Sequence, residues 1–175
     1  WQPKDATKPQ NAYGRSKKIG EDGIRAVGST YGILRTSWVV SPHGTNFVKT
    51  MLNLSENRDT LSLVADQIGG PTPAKDIAKA CLEIVDQLIQ DPSKSGTYHF
   101  SGAEDVSWAE FATEIFQQTR RSMSVLPIPT SDYPTPAVRP LNSRLNCSKT
   151  GEVFSIHQPD WRMGLNDILN ELGVI

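Results

Sequence analysis

Strand-like apolar runs alternate with capped, amphipathic helical segments along this chain, and that order restricts the fold more than any other feature. Asn11 stands as an N-cap before a helix reaching to about Ser29, with Pro9 ahead of it and Gly28 marking its end. YGILRTSWVV, residues 31–40, then reads as one buried strand, apolar on both faces and closed by Ser41 and Pro42. NFVKTMLNLSEN carries Phe47, Met51 and Leu54 at helical spacing, and LSLVA makes a second strand. DQIGGPTP is a turn-rich loop. Thr72 is placed to cap a helix with Pro73 at its first position and Ile77, Cys81, Val85 and Leu88 on its inner face. GTYHFSG reads as a strand, and Ser107 three residues before Glu110 forms a capping box for a helix with Trp108, Phe111, Ala112, Ile115 and Phe116 as its apolar stripe. SVLPIP is an edge-like strand because of its prolines, a helical turn is expected near Lys149–Phe154, and DWRMGLNDILNELG closes the chain as a helix. Strands and helices in this order specify an α/β chain with crossover connections.

Composition narrows the function. Lys and Arg number 18 against 19 Asp and Glu, a net charge of −1, so there is no basic excess to hold nucleic acid or an anionic membrane surface. The apolar runs all stop well short of the roughly 18 residues that cross a bilayer. Two cysteines, Cys81 and Cys147, are too few for a disulfide framework, which suits a reducing, cytoplasmic setting. The three histidines share no metal-ligand spacing with each other or with the cysteines, so no metal site is expected. The chain opens on Trp1 rather than Met, which raises the expectation that the numbering starts inside a longer protein.

Tyr13 and Lys17 are the first candidates for chemistry. At i and i+4 on a helix they share a face, so the phenol and the ammonium can converge on one point. A phenol with a pKa of about 10 exchanges protons poorly near neutrality. A cation about 4 Å away, at an effective dielectric of about 20, offers about 4 kcal/mol, equivalent to roughly three pKa units. Such a tyrosine can donate a proton to a carbonyl oxygen as a hydride reaches the carbon. The plainer reading, an amphipathic tyrosine beside a solvated lysine, is the commoner one for this spacing alone. The proline-rich stretch 130–146 is a second candidate region, since loops above about 12 residues are uncommon unless functional or disordered.

The residues around that pair carry a resemblance. DATKPQNAYGRSKKIGE, with Asp5, Thr7, Pro9, Tyr13, Gly14, Ser16, Lys17 and Glu21, resembles the active-site helix of the extended short-chain dehydrogenase/reductases. RTSWVVSPHGTNFVKTML, DQIGGPTPA, GTYHFSG and YPTPAVRPLNSRLN follow in the order of one branch, the dTDP-4-dehydrorhamnose reductases, and the resemblance covers essentially the whole chain. It implies the trailing part of a Rossmann-like parallel sheet plus a smaller α/β substrate-binding domain. Residues 1–45 would end the dinucleotide-binding domain, and 46–175 would mainly bind substrate, some elements returning to the Rossmann sheet. Tyr13 would protonate the C4 keto oxygen of a dTDP-4-dehydro-6-deoxy-L-mannose substrate, and Lys17 would hold the nicotinamide ribose of NADPH or NADH and lower the pKa of the tyrosine. The glycine-rich turn of the form G-x-x-G-x-x-G that meets the cofactor pyrophosphate is absent, so this chain is expected to be inactive alone.

The same resemblance marks a substrate side. RTSW ends its strand at the carboxyl edge of the sheet, where Thr36 and Ser37 can approach the nicotinamide, and Trp38 either packs on the sugar or joins the core. Asn46 and Phe47 open a helix whose free N–H groups suit a diphosphate, although simple N-capping by Asn46 explains them too. Gln67 either bonds the base or sugar or serves its turn, and Arg139, Asn142 and Arg144 offer guanidinium forks to paired phosphate oxygens. A homodimer is among the expected partners. The competing identities are a non-catalytic regulatory subunit of the methionine adenosyltransferase type and a related epimerase or dehydratase. RTSW and DQIGGPT fit the enzyme better than the first, and RTSW with RPLNSRL fits it better than the second.

Overall fold

The computed structural model describes residues 1–133, 135 and 139–175. The helices are α1 (Ala12–Val27), α2 (Phe47–Leu54), α3 (Ala74–Gln90), α4 (Trp108–Gln118), α5 (Ser148–Phe154) and α6 (Trp161–Glu171). The strands are β1 (Gly32–Arg35), β2 (Val39–Val40), β3 (Thr60–Val64), β4 (Ile68–Gly69), β5 (Thr72–Pro73), β6 (Gly96–His99), β7 (Val106–Ser107) and β8 (Ser124–Ile128). Three strand pairs are parallel, β1 with β6, β2 with β5 and β3 with β8, and β4 with β7 is antiparallel. Parallel partners far apart in sequence need crossover connections, and helices supply them here.

Local chemistry sets most element ends. Asn11 accepts the Gly14 N–H at 2.9 Å to start α1, and Gly28 ends it in the left-handed conformation. Ser107 and Glu110 form both bonds of the capping box at the start of α4. Asp160 caps α6 through the Arg162 N–H.

Four expectations are corrected. The run 31–40 is not one strand: β1 joins β6, the chain turns through 36–38 with Trp38 at φ +45°, and β2 joins a different partner, β5. The segment 66–73 is not all loop, because β4 and β5 take ladder partners distant in sequence. Helix α3 starts at Ala74, one residue later than expected, because the Thr72 hydroxyl donates to the Gly70 carbonyl rather than capping the helix. Its inner face is Ala80, Ile84 and Leu88, whereas Cys81 and Val85 are exposed. Two apolar stripes overlap on that helix, and the tertiary partners choose between them.

The apolar side chains gather in two clusters. The larger joins α2, β3, α4 and α6 through Val48, Met51, Leu61, Phe111, Ile115, Trp161 and Leu165. The second packs α3 and α5 on the β1–β6 pair through Ile84, Leu88, Tyr98, Phe100 and Phe154. Helix α1 contributes no buried residue to either.

Candidate active site

On α1 Tyr13 is 70% exposed, and Lys17 Nζ lies 5.4 Å from its ring centroid, a contact that the one-turn spacing allows. A turn further along, the Glu21 carboxylate accepts from Arg35 Nε at 2.8 Å and from its terminal nitrogen at 2.7 Å, a fork-to-fork pair between α1 and the end of β1. Arg25 adds a 2.7 Å bond to Glu21 and reaches Thr97 Oγ1 at 3.1 Å. Hydrogen bonding to Arg35 holds the Glu21 carboxyl below the usual range, against an opposing effect of burial.

Beyond β1, Thr36 is exposed and the Ser37 hydroxyl donates to the Gly70 carbonyl at 3.0 Å, so Ser37 ties the strand end to the 66–73 segment. Trp38 holds a left-handed backbone, uncommon for a bulky residue, and its ring stacks on Trp108 with centroids 3.6 Å apart and planes 9° from parallel. Gly69 permits this. A Cβ there would fall 2.9 Å from Trp38 Cε2 and Nε1, closer than atoms pack. Phe47 lies 4.6 Å from the Trp108 ring and extends the aromatic group toward Phe111.

Gln67 is buried, and both ends of its amide are engaged: Oε1 accepts from Trp108 Nε1 at 3.2 Å and Nε2 donates to Thr130 Oγ1 at 3.1 Å. Asp66 in turn accepts from the Thr130 hydroxyl and N–H, which lowers its carboxyl pKa. Asn46 caps α2, its Oδ1 accepting from Lys49 N and its Nδ2 donating to the Ser41 carbonyl at 2.6 Å. Asn142 bridges to Ile68, and its Oδ1 accepts from Arg144 Nε at 2.8 Å. Trp1 is seated on this loop, its indole N–H donating to the Asn142 carbonyl. Arg139 and Arg144 are exposed.

Trp38, Phe47 and Gln67 therefore converge on Trp108, and Asn142 joins them through its backbone link to β4. Tyr13 and Lys17 form a separate pair on α1. Two features with roles here are not read from sequence: Trp108 as more than a helix-stripe residue, and the pairing of Glu21 with Arg35. The indole N–H of Trp108, at a helix start where one side is open, was the available signal.

A family model described as the RmlD substrate binding domain matches residues 1–174. The chain belongs to that family. A dTDP-4-dehydrorhamnose reductase of Sinorhizobium fredii is 44% identical over 90% of this chain and 55% of its own length, and one of Escherichia coli is 38% identical over 98% and 60%. Among solved structures, a dTDP-4-dehydrorhamnose reductase of Clostridium acetobutylicum superposes with a TM-score of 0.88 at 35% identity, covering 99% of this chain and 60% of that one. A Bacillus anthracis dTDP-4-dehydrorhamnose reductase, in complex with NADP, gives 0.84 at 36% identity over 97% and 58%. This RmlD-family chain thus spans 55–60% of the length of these relatives. Within the family frame, the mixed α/β architecture with parallel strand pairs is the expected one.

Proposed function

We propose that this chain forms part of an NAD(P)H-dependent reductase that converts dTDP-4-dehydro-6-deoxy-L-mannose (dTDP-4-dehydrorhamnose) to dTDP-L-rhamnose. The observation that carries the reading is the Tyr13–Lys17 pair, standing one turn apart and open to solvent on α1, in a chain matched along nearly its whole length by reductase relatives. When bound, the reduced nicotinamide supplies the hydride for C4. Tyr13 donates its hydroxyl proton to the C4 oxygen, and the Lys17 ammonium stabilises the phenolate left behind. The exposed donors of Tyr13 and Lys17 fit the hydroxyls of a nicotinamide ribose. The sequence holds no G-x-x-G-x-x-G turn to fit a pyrophosphate.

Trp38 and Trp108 offer a flat apolar wall for the sugar, with Phe47, Gln67 and Asn142 shaping its edge and Asn46 beside it. Arg139 and Arg144 are assigned to the diphosphate, and Thr36 and Ser37 to the nicotinamide side. Residues 1–45 are read as the end of the dinucleotide-binding domain. Within 46–175, α3, β6 and α5 return to it, which the second apolar cluster supports. A cytoplasmic setting and a homodimer belong to the same proposal. The test uses the full-length protein with NADPH and the 4-keto sugar nucleotide. Loss of NADPH absorbance matched by formation of dTDP-L-rhamnose is expected; absence of turnover overturns the reading.

A further inference from the structure

Helix α1 bears both candidate catalytic side chains, Tyr13 and Lys17. The hydrogen bonds that join α1 side chains to the β1–β6 sheet, among the described residues, come from Glu21 and Arg25. Of these, the Glu21–Arg35 contact has two parallel N–H···O bonds, at 2.8 and 2.7 Å, between side chains only 16% and 21% exposed. Arg35 is the last residue of β1, opposite His99 at the carboxyl edge, and its other terminal nitrogen reaches the Pro3 carbonyl at 3.4 Å.

We propose that Glu21 and Arg35 are a positioning pair that fixes the rotation and height of α1, and with it Tyr13 and Lys17, against the carboxyl edge of the β1–β6 sheet. Glu21 stands two turns, about 12 Å, along the axis from Tyr13 at about 1.5 Å per residue. A bidentate carboxylate–guanidinium contact fixes orientation as well as distance, which a single point charge does not. With side-chain tips about 6 Å from a helix axis, a rotation of about 10° moves a tip by about 1 Å. A displacement of that size at a reacting group can lower a rate by about 100-fold. Neither residue touches substrate in this scheme; both act through the helix.

The inference rests on the reductase reading, and the two can fail separately. In the full-length protein, Glu21→Gln and Arg35→Gln are each expected to lower kcat by about 10-fold or more, with KM for the sugar nucleotide within about 2-fold. The double variant is expected to be no slower than the slower single one, because both remove the same contact. Hydrogen exchange should quicken at the α1 amides 12–27 in Glu21→Gln and stay unchanged in β1, β6 and α4. Unchanged kcat, kcat losses that multiply in the double variant, or loss of protection across both apolar clusters overturns the pair as a positioning device. Absent turnover in the wild type sinks the reductase reading instead. The exchange experiment then still decides whether Glu21 holds α1: faster exchange confined to 12–27 supports it, and unchanged exchange overturns it.

Discussion

The Gln67 amide accepts from the Trp108 indole and donates to Thr130, so one buried side chain holds the aromatic wall to the 130–132 turn. Trp108→Phe keeps an aromatic ring but leaves the Gln67 oxygen unpaired, at an expected cost of about 1–3 kcal/mol. Urea unfolding reads this, and a change below about 0.5 kcal/mol would contradict it. His99 is buried, 1% exposed. Burial, with help from the nearby Arg35 charge, pulls its pKa from 6.5 to about 4. The folded protein therefore holds His99 neutral over a range where the unfolded chain takes up a proton. That contribution is complete above pH 6.5 and is lost progressively as the pH falls toward about 4. The loss is of the order of 3 kcal/mol, and it levels off below the folded value. Stability measured between these limits should fall in the wild type and fall less in His99→Phe. Parallel curves would show that His99 is not the group responsible.

Helix starts were the most legible elements, because a cap is written within four residues. Asn11 and Ser107 cap the helices that their local patterns predict, whereas Thr72 does not cap α3, and Ser107→Ala should cost about 1 kcal/mol in thermal or urea unfolding by removing one half of the α4 box. A variant as stable as wild type would mean that water replaces the bond without loss. Non-local choices were less legible. Nothing local to Ile33–Val40 says that β1 and β2 take different partners, because the break depends on Trp38 stacking over Gly69 and against Trp108. A related reason sets the inner face of α3. Ile77 belongs to both apolar stripes, and Tyr98 and Phe154, not periodicity, select Ala80, Ile84 and Leu88. At the candidate site, Tyr13 and Lys17 were visible as a spacing within one helix, whereas Glu21–Arg35 joins residues 14 positions apart on different elements.

At the scale of the molecule, the 66–73 segment is tied to the 99–102 segment, and α5 is tied to β6. The Gly102 N–H donates to Thr72 Oγ1, and Thr150 Oγ1 donates to the His99 carbonyl. The larger cluster carries the aromatic wall, and the smaller supports the β1–β6 edge beside which α1 is pinned. In the proposed reductase, a sugar ring against Trp38 with its keto oxygen toward Tyr13 would use both parts. The most direct test compares single-turnover reduction of dTDP-4-dehydro-6-deoxy-L-mannose by NADPH in the full-length wild type and in Tyr13→Phe. A loss of at least about 100-fold, with substrate affinity retained, is predicted for a group that supplies the proton. A rate unchanged by the substitution would contradict that role for Tyr13.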